Sequence, residues 1–152
     1  MNFNKKLLVL IFVLSVSYAF SQTKTLILPN PTPPPGNIKL LPGYTHEQKQ
    51  GIDSSVGEIS KKDGLIIRYD IGDMAGNRTM LYLTKDKGKL LWYKTQKINN
   101  DDLLIAYFKD GKMMATFQNV YANFFAETKS QEDIVDFLLI VMTYKNESKD
   151  KK

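Results

Sequence analysis

Residue types that can do chemistry gather between positions 44 and 77. They are the sole histidine, His46; Asp53 beside Ser54 and Ser55 in a Gly-Ile-Asp-Ser-Ser turn; Arg68 and Asp70, two apart; and Asp73 and Asn77 in the stretch Gly-Asp-Met-Ala-Gly-Asn. Ser54 or Ser55, His46 and Asp53 have the types of a nucleophile, a base and an orienting acid. Such a site is built by the fold rather than by sequence neighbours, and no Gly-x-Ser-x-Gly elbow is present. Turn chemistry is the simpler reading, because Asp and Ser side chains bond nearby backbone N–H groups. Asp70, Asp73 and Asn77 offer oxygens to a hard cation. Calcium takes about six to eight oxygens, and the EF-hand spacing is absent, so a tight loop accounts for these residues better. One histidine and no cysteine make a poor zinc site. There is no glycine-rich phosphate loop and no nucleotide fingerprint. No catalytic residue, metal ligand or cofactor is therefore assigned. His46, Asp53, Ser54, Arg68, Asp70, Asp73 and Asn77 remain as a ligand-binding set.

These residues need elements to hold them. From about position 55 the hydrophobic period becomes two, the strand signature. A short strand over 56–59, a turn over 61–64 and a strand over 65–71 follow in order. Alternation puts Leu65, Ile67, Tyr69 and Ile71 on one face and Ile66, Arg68 and Asp70 on the other. Arg68 and Asp70 thus form either a surface ion pair, the favoured reading, or a polar clamp on a concave face. Segments 78–84 and 89–98 read as strands around a hairpin-type connection at 85–88. Segments 103–109 and 112–119 flank Asp110-Gly111, the strongest short hairpin signal. Segment 120–126 reads as a further strand or an irregular apolar stretch. Trp92 and Tyr93 fall on opposite faces of their strand. With Tyr82, Tyr107 and Phe108 they predict an aromatic face that is mostly core, with a carbohydrate platform as the alternative.

The C-terminal segment changes period. Ser130 suits an N-cap, and Glu132 and Asp133 suit the positive end of a helix. Ile134, Phe137, Leu138, Val141 and Met142 then make one helical stripe. A strand over 137–144 is the competing reading. The expected fold class is α+β: a mostly antiparallel sheet of about six or seven strands with a C-terminal helix packed on one face. The domain organisation is a leader over 1–21, a proline-rich arm over 22–43, a single domain over 44–145 and a charged tail over 146–152. The prolines at 29, 31 and 33–35 favour extended, polyproline-like backbone in the arm.

The first residues have the layout of a secretory signal. Lys5 and Lys6 precede the apolar run LLVLIFVL, and small residues including Ala19 and Ser21 lead to a cut before Gln22. The run is shorter than the roughly 20 residues that cross a bilayer. With no cysteine in the chain, lipid attachment at a cleaved cysteine and disulfides are both excluded. Export into the periplasm or the medium is the expected localisation. Lys5 and Lys6 leave with the leader, so 21 basic and 16 acidic residues become 19 and 16, a surplus of +3. Only Arg68 and Arg78 are arginines, and this balance argues against nucleic acid as a partner.

The stretches GIDSSVGEI at 51–59 and YDIGDMAGN at 69–77 resemble sequences in small exported proteins of Bacteroidota-type bacteria whose activity is uncharacterised. The resemblance implies no activity. The strands-then-helix order is similar to that of photosystem-accessory-like α+β domains, an analogy of fold only. Two functions follow. The first is a non-catalytic exported binding or accessory domain for a partner protein, glycan or small ligand. The second is a small exported hydrolase using the carboxylates of the 53–73 region. Intact-mass analysis of the exported protein is expected to place its N-terminus at Gln22, within a residue or two. A mature chain that keeps the apolar run would refute the leader.

Overall fold

The computed structural model describes residues 32–146. The leader over 1–21, the first part of the proline-rich arm (22–31) and the tail from 147 onward lie outside the described residues. Seven strands form one sheet: β1 (Tyr44–Lys49), β2 (Ser55–Lys61), β3 (Ile66–Ile71), β4 (Leu90–Ile98), β5 (Asp101–Phe108), β6 (Lys112–Phe117) and β7 (Ala122–Glu127). Among the described residues two α-helices accompany them, α1 (Arg78–Lys85) and α2 (Gln131–Val141). The sheet order is β1-β2-β3-β7-β6-β5-β4, and every neighbouring pair is antiparallel. Two meanders, β1–β3 and β4–β7, thus meet at the β3–β7 seam. Between them the chain passes through α1 to the far edge and works back. The fold is the expected α+β class with its C-terminal helix on one sheet face.

Packing of α2 follows its sequence. The Ser130 hydroxyl accepts from Asp133 N at 3.1 Å, and Asp133 Oδ2 accepts from Ser130 N at 3.1 Å, a closed capping box. Phe137, Ile140 and Val141 are buried against Ile67, Phe117, Phe124 and other inward residues of the sheet. Burying each large apolar side chain contributes about 1.5–3 kcal/mol. The 137–144 strand reading is thereby excluded: the helix runs through it, and Tyr144 packs beyond its end against Phe117, ring centroids 4.9 Å apart.

The domain body begins before Tyr44. Ile38 is buried in the same core, with Leu40 and Leu41 packed against it. Lys39 N donates to Thr143 Oγ1 at 2.8 Å, and Lys145 N donates to Gly36 O at 2.8 Å. Gly36 takes φ +63°, and a Cβ there would overlap the Tyr144 ring, so the close approach requires glycine. Residues 36–41 are therefore part of the folded unit rather than of an arm. Pro34, at φ −61° and ψ 148°, does hold the extended backbone expected of the proline run.

Three further expectations are corrected. The 78–84 segment is a helix, not a strand. Asn77 Oδ1 accepts from Met80 N at 2.9 Å, and Thr79 and Leu83, four apart, are buried on one face while Leu81 is exposed. An alternating pattern would have buried Leu81 with them. The 85–88 connection consequently joins helix to strand. β1 is a strand that weak alternation concealed, because as an edge strand it buries only Tyr44 and His46. Trp92 and Tyr93 are 39% and 61% exposed rather than core, because β4 is the outermost strand. Segment 120–126, by contrast, does hold a strand, and an inner one.

The β3–β7 seam is closed by one buried side chain, Asn123. Its Oδ1 accepts from Arg78 N at 3.0 Å and from Thr116 Oγ1 at 2.7 Å. Its Nδ2 lies 3.3 Å from Asp70 O, 2.9 Å from Gly76 O and 3.0 Å from Tyr121 O. Asn123→Ala would leave buried donors and acceptors without partners, each a desolvation cost. Denaturant unfolding is expected to show a loss of about 2–4 kcal/mol, more than an average core truncation of the same size.

Candidate functional site

The two faces of the sheet differ in how they are covered. Ile59, Ile67, Tyr69 and Phe124 point to the α2 side and are sealed. On the other side α1 covers Leu104, Ala106, Phe108 and Met114 through Leu83 and Tyr82. It reaches no further, so the face of β2, β3 and β7 lies open beside it. A groove of about 420 Å³ results there. Its floor is apolar, with Val56, Met114 and Phe125, and Tyr82 of α1 forms one wall.

Charge rings this floor. Glu58 of β2 bonds Arg68 Nε at 2.9 Å and Lys49 Nζ at 2.7 Å. Arg68 and Glu58 are cross-strand partners in the register, which makes the pair short and direct. Arg78, at the start of α1, places Nη2 at 3.5 Å from Asp70 Oδ2. Lys112 Nζ lies 5.1 Å from the centroid of the Tyr82 ring, a cation–π distance. Asp70 lines the groove, and its Oδ1 is buried with no hydrogen-bond partner among the described residues. Burying an acceptor unmet costs about 1–3 kcal/mol, so a donor that reaches it is favoured. A second concavity of about 360 Å³ shares Arg68 and Glu127 with the first and continues toward Asp63 and Lys129.

The groove brings together two of the residues singled out in the sequence, Arg68 and Asp70. The others lie elsewhere. His46 is on the α2 face of β1, with Nδ1 at 2.7 Å from Thr32 O and Nε2 at 2.8 Å from Tyr69 Oη. A carbonyl only accepts, so Nδ1 carries a proton and holds the entering chain against the sheet. Tyr69 Oη also sits where a Cβ on Gly57 would be, so this strand pair admits glycine alone at that position. Burial pushes the Tyr69 hydroxyl up from its usual pKa, partly offset by a hydrogen bond with Ser55. His46 is thus a structural tie and does not meet Asp53 or Ser54 as a base.

Pairing of Ser55 with Ile71 brings the 51–55 turn beside the 72–77 loop, with Ser54 and Asp53 against Gly72. Asp53 and Asp73 are nevertheless exposed. The Asn77 side chain is spent capping α1. Asp70, Asp73 and Asn77 therefore do not converge on a cation, and no cluster of three or more potential ligands occurs among the described residues. Of the three aspartates named for a hydrolase, Asp70 lines the groove and Asp53 and Asp73 do not.

Glu58, Arg78 and Phe125 escaped the sequence reading, and Tyr82 entered it only as part of an aromatic sheet face. Glu58 was legible as a charge opposite Arg68 once β2 and β3 were paired. Arg78 was not, because it reaches the groove only as the first residue of a helix. Compared with known proteins, the chain matches no family model, no curated protein and no solved structure. No described helix is long and apolar enough to cross a membrane.

Hydrogen bonds from Lys49 and Arg68 hold the Glu58 carboxyl below its ordinary value of 4.5. The folded value lies under the unfolded one, so the stabilisation is present above about pH 4.5 and vanishes as pH falls through the folded value. Glu58→Gln is expected to cost at most about 1 kcal/mol at neutral pH, since both cations are exposed. It is also expected to flatten the acid limb of the stability profile, as read by urea unfolding at a series of pH values.

Proposed function

We propose that the chain is exported and that its domain is a non-catalytic binding or accessory module, holding a small polar ligand in the groove beside α1. The observation that carries this reading is Asp70 in the lining of an apolar-floored groove, with a buried Oδ1 that has no hydrogen-bond partner among the described residues. Ligand sites combine apolar lining with a few convergent polar groups in this way. The fitting ligand donates a hydrogen bond to Asp70, lays an apolar face on Met114 and Phe125, and offers an anionic or acceptor group to Arg68 or Lys112. Catalysis has less to stand on. Among the described residues the groove is lined by no His, Ser or Cys. Of its carboxylates Glu58, Asp70 and Glu127, Glu58 is held ionised by two cations and Asp70 lies beside Arg78, whereas carboxylate acid catalysis needs one carboxyl raised and protonated. The leader-like N-terminus supports export, and without a cysteine for lipid attachment the chain suits a freely diffusing or partner-bound accessory protein.

NMR titration of residues 22–152 with a panel of small hydroxylated and amino compounds bearing acidic groups tests the reading. At least one compound is expected to bind saturably and shift Asp70, the Met114 methyl and Phe125 together. Asp70→Ala is expected to weaken that binding about tenfold or more, as for a hydrogen bond to a charged group, with the thermal midpoint little changed. Binding that maps away from the groove, or that ignores Asp70→Ala, sinks the proposal.

A further inference from the structure

Independently of the groove, the outer edge of β4 carries three features that an ordinary sheet edge avoids in combination. First, no strand pairs with that edge among the described residues, so alternate residues of this nine-residue strand turn backbone donors and acceptors outward without a strand partner. Second, Leu91, Trp92 and Tyr93 lie exposed in a row along it, at 53%, 39% and 61%. Third, residues 85–98 hold five lysines and one aspartate. Their +4 exceeds the +3 surplus of the whole chain without its leader, so the rest of that chain is close to neutral. Lys89 and Lys97 have carboxylates only at 3.9 and 4.0 Å, from Asp86 and Asp102.

Lysines alone would be protection, since proteins place them on edges to discourage pairing. Protection does not explain an exposed Leu-Trp-Tyr run at the same edge. We propose that β4 is a docking edge for an extended acidic segment of another protein, which adds to the sheet as a further strand. Main-chain hydrogen bonds would supply affinity, and side chains on both faces would supply selection.

The register decides between occupants. Trp92 pairs with Tyr107 on the α2 side, their rings 5.9 Å apart, while Tyr93 pairs with Ala106 on the α1 side. One aromatic and one lysine therefore flank the edge on each face: Trp92 with Lys94 on one, Tyr93 with Lys97 on the other. A membrane surface meets one plane and cannot take up aromatic groups that point to opposite sides of a sheet. An added strand sends alternate side chains to both faces and meets each pair. A second copy of β4 would set Lys94 and Lys97 against the same two lysines, +2 against +2, and like charges across a strand pair are destabilising. The chain's own N-terminal segment enters at the opposite edge, through Thr32 beside His46 of β1. An acidic strand from a different protein is the occupant that the geometry and the charge accept together.

The test uses residues 22–152, short acetylated peptides alternating Glu or Lys with Val and Tyr, and phosphatidylglycerol vesicles. The glutamate peptide is expected to bind and to protect alternate amides of β4 from hydrogen exchange. Its affinity should fall as salt rises. Lys94→Glu combined with Lys97→Glu is expected to weaken it about tenfold or more while circular dichroism and the thermal midpoint stay unchanged. Trp92→Ser should weaken it without altering the salt dependence. The proposal is overturned if β4 amides gain no protection, or if the lysine peptide binds as well. It is also overturned if vesicles capture the protein while the glutamate peptide leaves it free, or if the protein self-associates through β4 instead. All of these outcomes leave the groove reading untouched, because no β4 residue lines the groove.

Discussion

The Asn123 carboxamide is the constraint on which the rest of the arrangement depends. Two meanders can each form locally, but joining them requires β3 and β7, far apart in sequence, to pair in one register. Asn123 reads that register from three directions: the β3 backbone at Asp70, the loop at Gly76 and the helix start at Arg78 N. Thr116 and Thr79 extend the network, their hydroxyls 2.8 Å apart in the interior. A buried polar network of this kind stabilises only when its members are satisfied. Here satisfaction demands that the seam, the loop and α1 all be in place at once. The side chain that secures the fold therefore also sets where Arg78 stands relative to Asp70.

The groove is a by-product of how the chain crosses the sheet. After β3 the backbone must travel to the far edge, and α1 is the segment that covers part of that path. It is eight residues long, about 12 Å at 1.5 Å per residue, while seven strands span about 28 Å across the sheet. One face is closed by α2 together with residues 36–41, and the other is only half roofed. The unroofed half must be wet, and its outward residues are correspondingly charged: Glu58, Arg68, Asp70 and Glu127. Apolar Phe125, with the buried Met114 beneath, lies where the roof ends, which gives the concavity its floor.

Edges complete the picture. β1 is tied on its α2 face, where His46 holds the chain entering at Thr32 and the Tyr44 hydroxyl donates to Asp136 Oδ2 of α2 at 2.8 Å. That bond, with burial, raises the Tyr44 hydroxyl well above its usual pKa, so it remains a donor throughout the ordinary pH range. β4 has no comparable shield among the described residues. The two ends of one sheet are thus physically unlike, one tied down by side chains and the other open, basic and aromatic.

Much of the framework was written in local pattern. Period-two runs marked β2, β3, β5 and β6, the Asp110-Gly111 turn marked its hairpin, and Ser130 with the following apolar stripe marked α2. Each is a short-range signal that needs no knowledge of distant neighbours. Arg68 and Asp70 were legible as one strand face by the same rule. What sequence could not decide was everything set by long-range placement. Arg78–Lys85 alternates like a strand, and only burial of Thr79 and Leu83 against β5 and β6 makes it a helix. His46 has the chemistry of a base, yet the α2 side of an edge strand turns it into a tie. Trp92 and Tyr93 have the composition of core and are exposed because β4 is outermost. Residue type and spacing determine which local element is cheap to form. Strand order determines which face is roofed, which edge is open and which charges meet, and that order depends on contacts between residues too far apart in the chain for any periodicity to record.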